Sequence, residues 1–173
     1  FLFSLQGEQT MCDLHDFLPE LVNMDGTYEE IIEKLYQIFR KDFIETKPVH
    51  LGLNVAHNSI IKENSQGKVE GFWHVITQDD YTKTNRLIDY RRAERLPWSK
   101  PLMENPYHKE IKFFFYDEGD FRKGIRHYIW LVNYNYIVVL QRKKTHYIWI
   151  TSFYVEKHNF KYFEKKYEKR IGP

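Results

Sequence analysis

Cysteine is almost absent: Cys12 is the only one among 173 residues. An internal disulfide and a cysteine-rich zinc site are both excluded. Glycine and proline are sparse, at 8 and 6 residues, too few for a low-complexity or collagen-like chain. Long apolar runs are missing as well. The longest, Tyr128 to Val132 and Tyr136 to Leu140, fall far short of the roughly 20 residues that a membrane span requires. No succession of charged, apolar and small residues marks a secretory leader. The expected setting is therefore soluble and cytoplasmic, with no membrane partner. The 8 histidines lack metal-ligand spacing, so neither a metal nor another cofactor is expected. Phosphate-cradling glycine loops, nucleophile elbows and paired zinc-ligand helices are absent too.

What is present is aromatic and unevenly charged. Aromatic residues form 17% of the chain, with 13 Tyr, 13 Phe and 4 Trp. Residues 1–70 carry 6 Lys/Arg against 12 Asp/Glu, a net of −6, and residues 71–173 carry 20 against 12, a net of +8. A basic, aromatic-rich half suits a polyanion such as RNA, on which aromatic rings can stack. The plainer alternative is that the aromatics fill a core and the lysines coat a surface.

The local patterns predict an α+β fold: N-terminal helices packed on a four-stranded antiparallel meander, with a C-terminal helix. Residues 1–26 read as an acidic, irregular N-terminal segment. Phe1 to Thr10, which precede Met11, are set aside as an appended or processed end. Deleting residues 1–26 is expected to leave a folded protein. Residues 27–173 read as one domain. Thr27 and Glu30 make a capping box, and Tyr28, Ile31, Ile32, Leu35, Ile38, Phe39 and Phe43 form an apolar stripe, so a helix is expected over 27–43. Val49, Leu51, Leu53 and Val55 alternate like a strand. Phe72 to Thr77 also reads as a strand, 78–86 as a mobile loop, and Leu87 to Leu96 as a short helix stopped by Pro97. Ile111 to Tyr116, Ile125 to Val132, Tyr136 to Arg142 and His146 to Tyr154 are the four meander strands, joined by links short enough for antiparallel neighbours. Val155 to Arg170 closes as a helix whose lysines read as a solvated face.

One constellation carries chemistry. His74 is followed by Arg91, Arg92 and Arg95, then by Trp98 and Lys100, and much later by Thr151 and Tyr154. Metal-independent RNA cleavage needs a base for the ribose 2′-hydroxyl, cations for the developing phosphorane charge and an acid for the departing 5′-oxygen. Histidine titrates near neutrality, and arginine binds phosphate through two parallel N–H groups. Each residue also has a plainer reading. His74 fits a packed core histidine, the arginines a solvated helix face, and Thr151 an ordinary β-former.

The strings Phe72 to Thr77, Arg92 to Asn105, Tyr128 to Val132, Tyr136 to Leu140 and Ile150 to Val155 resemble a phage- and mobile-element-associated nuclease family. That family belongs to the barnase/EndoU/colicin-tRNase/RelE-like (BECR) fold group. The resemblance spans roughly residues 27–168 and is most specific in the Arg-x-Glu-Arg-x-x-Trp-x-x-Pro segment, Arg92 to Pro101. It implies that 27–173 is a single BECR-like nuclease domain and an endoribonuclease toxin of a toxin–antitoxin or phage-conflict system. The implied partners are RNA, either tRNA or mRNA, and an antitoxin protein. Carried over by position, His74, Arg92, Arg95, Lys100 and Thr151 are the implied catalytic residues, with Arg91, Trp98 and Tyr154 on the substrate. Phe153 stands where the family often has Tyr, and Ser99 stands where a bulky aliphatic residue is expected. The alternative is a catalytically silent RNA- or protein-binding domain on the same fold.

Overall fold

The computed structural model describes residues 13–79 and 86–173. Helix α1 (Leu14–Phe17) is one turn, and α2 (Tyr28–Phe39) follows. The capping box forms: the Glu30 amide donates to Thr27 Oγ1, and the Thr27 amide donates to Glu30 Oε2 at 2.8 Å. Two of the helix's orphan donors are thereby satisfied. Ile31, Ile32, Leu35 and Phe39 are the buried stripe, and α2 widens into a π-helical turn over Arg40–Glu45 that buries Phe43.

Residues 49–56 are not one strand. They form a hairpin of β1 (Val49–His50) and β2 (Leu53–Ala56). Its two-residue turn places Leu51 at φ +47° and Gly52 at φ +82°, the left-handed pair that a tight hairpin needs. A leucine in that place hides the turn from a sequence reading. Residues 70–77 also differ from expectation, since Glu70–Ile76 is a helix, α3. The run is rich in β-formers, but Gly71, Phe72, Trp73, Val75 and Ile76 are all buried. A short apolar run enclosed by neighbours carries no usable periodicity. Gly71 lets the helix approach residues 57 and 58, because a Cβ there would sit 2.9 Å from the Asn58 carbonyl oxygen.

Strands β3 (Thr77–Asp79) and β4 (Arg86–Ile88) pair antiparallel, flanking a stretch, 80–85, that lies outside the described residues along with most of the loop expected at 78–86. Helix α4 (Tyr90–Ala93) is shorter than the expected 87–96, because Leu87 and Ile88 belong to β4. Helix α5 (Ser99–Glu104) follows a 3-10 turn at Leu96–Trp98. Strands β5 (Ile111–Asp117), β6 (Ile125–Leu131), β7 (Tyr136–Arg142) and β8 (Tyr147–Tyr154) lie close to their expected places, and α6 (Phe160–Glu168) ends the order.

The sheet overturns the expected four-stranded antiparallel meander. It has six strands in the order β1-β2-β8-β7-β6-β5 and is mixed, because β2 runs parallel to β8. The hairpin at 49–56 supplies the two additional strands. Its pairing with a strand far along the chain leaves no local trace.

Alternate side chains of the sheet serve two cores. Ile129, Leu131, Tyr136, Val138, Leu140, Tyr147 and Trp149 join α2, α3 and α5 on one face. Phe114, Tyr128, Trp130, Ile137 and Val139 pack with Val155 and Phe163 of α6 on the other. Lys166 of α6 is buried rather than solvated. Its Nζ donates to Glu118 Oε1 and Oε2 at 2.8 and 2.9 Å and to the Tyr128 hydroxyl at 2.8 Å. The N-terminal segment joins the first core through Phe17, Leu18, Val22 and Met24. Backbone bonds reinforce this, with the Val22 amide donating to Glu94 O and Trp98 Nε1 to Pro19 O, at 2.9 and 2.8 Å.

Candidate functional site

The parallel pairing of β2 with β8 is brief: Val55 faces Tyr147 and Ala56 faces Ile148. Beyond Ala56 the chain turns away toward α3 while β8 continues. The two carboxyl ends diverge, the topology that opens a ligand crevice in sheets with parallel strands. The resulting cleft of about 280 Å³ is lined by His57, Asn58, Glu70, Gly71, His74, Val75, Trp149 and Ile150.

Helix α3 positions His74 there. Its neighbours Phe72, Trp73, Val75 and Ile76 point inward, leaving His74 as the exposed member. Glu70 lies four positions earlier and so shares its face. The Glu70 carboxylate is 3.1 Å from Lys62 Nζ, and its amide donates to Ile60 O at 2.7 Å. His57 is half-buried, with its ring nearly perpendicular to Phe39 at 5.1 Å. Burial, and then the charge of Lys47, hold its pKa below the usual histidine value.

The arginines have distinct tasks. Arg92 Nη1 donates to His74 O at 3.2 Å and Thr77 O at 3.0 Å, closing the C-terminal end of α3. It satisfies carbonyls that a helix end leaves open. Arg92 thus holds the backbone of His74 in place. Arg95 Nη1 donates to Arg91 O at 2.8 Å and pairs closely with Glu94. The Arg95 guanidinium also lies 5.4 Å from the Trp98 ring and 5.0 Å from the Tyr154 ring. Arg91 is 4.9 Å from the same tyrosine ring, and its Nη1 donates to both carboxylate oxygens of Glu156 at 3.1 Å. Arg91, Arg95 and Tyr154 therefore form one cationic–aromatic cluster. Trp98 supports it from below, being only 6% exposed.

Two expected residues stand apart. Lys100 Nζ donates to Thr46 Oγ1 at 2.9 Å, beside Asp42. Burial raises the Asp42 carboxyl pKa, while Lys100 and Lys41 pull it down. Thr151 pairs with Val139, whose side chain belongs to the α6-side core. A bulge between Val139 and Leu140 makes Ile150 the extra residue. It turns Thr151 to the face opposite Trp149, and ordinary alternation sets Thr151 opposite Ser152 and Tyr154.

Ser99 is more than a packing change. It is fully buried, with Oγ 2.9 Å from the Tyr136 hydroxyl and donating to Ser152 Oγ at 3.2 Å. Trp149 Nε1 donates to the same Ser152 oxygen at 2.9 Å. This satisfied network locks α5 and the cleft wall to β7 and β8. Burial raises the Tyr136 pKa, so its hydroxyl stays protonated.

His57, Asn58 and Glu70 were not singled out by the sequence. The four-residue step from Glu70 to His74 would have revealed one of them had the segment been read as a helix. A second histidine pair lies in the core. His50 Nδ1 is 2.8 Å from Met103 O, and His50 Nε2 is 3.3 Å from His127 Nδ1. A carbonyl only accepts, so neutral His50 carries its proton on Nδ1 and accepts from His127. Among the described residues, no group of three or more His, Cys, Asp or Glu could hold a metal ion, and no helix is long and apolar enough to cross a membrane. The chain matches no protein-family model, no curated protein and no solved structure.

Proposed function

We propose that this chain is a metal-independent endoribonuclease that cleaves by internal 2′-hydroxyl attack and leaves a cyclic phosphate. In this reading it acts in the cytoplasm as a toxin of a toxin–antitoxin or phage-conflict system, on tRNA or mRNA, and an antitoxin protein restrains it. The observation that carries the reading is the cleft at the diverging ends of β2 and β8, with His74 at its mouth. Tyr154, with Arg91 and Arg95, stands four residues beyond Ile150, about 13 Å along an extended strand. A single-stranded segment can span that distance, with a phosphate at His74 and a phosphate or base further along the strand on the cluster. His74 transfers a proton, Arg91 and Arg95 attract phosphate, and Arg92 positions His74 by capping α3. The test is purified protein incubated with total RNA in EDTA. Fragments ending in 2′,3′-cyclic phosphate are expected, and intact RNA refutes the reading.

A second reading is favoured by the arginines' existing partners. Arg91 and Arg95 each already hold a carboxylate, which suits a silent RNA-binding domain that exchanges carboxylate for phosphate. Salt-dependent RNA binding without cleavage would select it.

A further inference from the structure

Four polar side chains besides His74 line the cleft, and they differ in what they already do. Asn58 Oδ1 accepts the Ile60 amide at 3.1 Å, which makes it a turn residue. Glu70 is in an ion pair with Lys62. Trp149 donates to Ser152. His57 alone among these four makes no side-chain hydrogen bond to the described residues, although it is half-buried and its ring is held against Phe39. A Cβ at position 71 would sit 3.2 Å from the His57 Cβ, so Gly71 is what lets α3, and His74 with it, come up to His57. A half-buried imidazole whose ring nitrogens no described protein group engages, set in a cleft beside a second imidazole, leaves those nitrogens open to a substrate.

We propose that His57 is the second proton-transfer residue of this cleft, accepting the 2′-hydroxyl proton while His74 protonates the departing 5′-oxygen. The proposal rests on the ribonuclease reading. In the step, the 2′-oxygen forms a bond to phosphorus as His57 takes its proton. The bond from phosphorus to the 5′-oxygen breaks with its electron pair on oxygen, which receives the proton of His74. The products are a 2′,3′-cyclic phosphate and a 5′-hydroxyl. The two imidazoles finish with their protonation exchanged, and water resets them. Environment separates the roles. His57 faces Lys47, Glu70 and His74, and its burial favours the neutral, accepting form. His74 is solvent-exposed on the last turn of α3, where water can return the proton that it gives up.

The experiment uses the full chain and an oligoribonucleotide containing a linkage that the protein cleaves in total RNA. A second substrate carries sulfur in place of the 5′-bridging oxygen at that linkage, a leaving group that needs no proton. His57→Gln is expected to lower cleavage of the oxygen substrate by about 10²–10⁴ at unchanged melting temperature, with no recovery on sulfur. His74→Gln is expected to lose as much on oxygen and to recover on sulfur. Added imidazole is expected to restore part of the His57→Ala rate. Near-normal cleavage by both His57 variants, with His74→Gln inactive, overturns the role of His57 and leaves the ribonuclease reading intact. Losses in the His57 variants that only follow a fall in melting temperature, with no response to imidazole, overturn it equally. Failure of the unaltered protein to cut any RNA removes both.

Discussion

His50 and His127 meet in the interior, 3.3 Å apart and closed off from solvent, whereas His57 and His74 line an open cleft. The inner pair has its hydrogen bonds assigned by a carbonyl, and rings of Phe113, Phe115 and Tyr147 surround it. The outer pair borders water, a carboxylate and an apolar wall. Residue type alone separates none of these four histidines. What separates them is whether the ring is enclosed in the core or opens onto a cleft.

Substitution should break the two pairs differently. His74→Ala is expected to have the largest effect, a loss of about 10²–10⁴ in cleavage rate with little change in melting temperature. Ordinary cleavage by this variant would end its catalytic assignment. His50→Ala should act on the fold instead. It leaves a cavity and strands the His127 donor, at a cost of about 2–4 kcal/mol. Urea unfolding measures it, and an unchanged midpoint would contradict the satisfied pair described above.

The inner pair also predicts an acid limb of stability. Burial, then the charges of His50 and Arg142, hold the His127 pKa at about 4, against about 6.5 in an unfolded chain. The folded value is depressed, so the neutral ring favours folding. This contribution is complete above pH 6.5 and falls away as pH drops toward 4. Its size is up to about 3 kcal/mol, and His50, also depressed by burial, adds in the same direction. Stability measured from pH 7 to 4.5 should fall less steeply in His127→Gln than in the unaltered protein. Equal slopes would sink the idea. Arg91→Ala should do least to the fold, about 0–1 kcal/mol for an exposed pair. It should reduce the salt slope of RNA binding by roughly 1, and an unchanged slope would remove Arg91 from the RNA path.

Legibility followed locality. Thr27 and Glu30 mark the start of α2 within four residues, and the alternating strands β5 to β8 are nearly as plain. The β2–β8 pairing was invisible because it rests on two facing residue pairs from distant segments. Helix α3 was misread because β-forming side chains there are buried by neighbours on every side but that of His74. The bulge at Ile150 defeated strict alternation and set Thr151 opposite Trp149, while plain alternation already sets it opposite Tyr154 of the cluster. His74, Arg91, Arg95 and Tyr154 were found as types. That Arg92 caps α3, that Trp98 bonds to Pro19 and that Lys100 turns to Thr46 depend on tertiary geometry. The Pro19 and Val22 bonds also revise the expectation that residues 1–26 are dispensable, since their loss strips a hydrogen bond from buried Trp98.

The parallel pairing has a consequence for the order of events during synthesis. Val55 and Tyr147 lie 92 positions apart, and the cleft exists only once they meet. Closing so long a loop is slow compared with local helix and hairpin formation. A growing chain that has emitted α3, with its histidine already in place, still lacks the wall formed by Trp149 and Ile150. Any cleft-borne activity is therefore withheld until β8 has left the ribosome, and a chain that stops before β8 carries the histidines without the site.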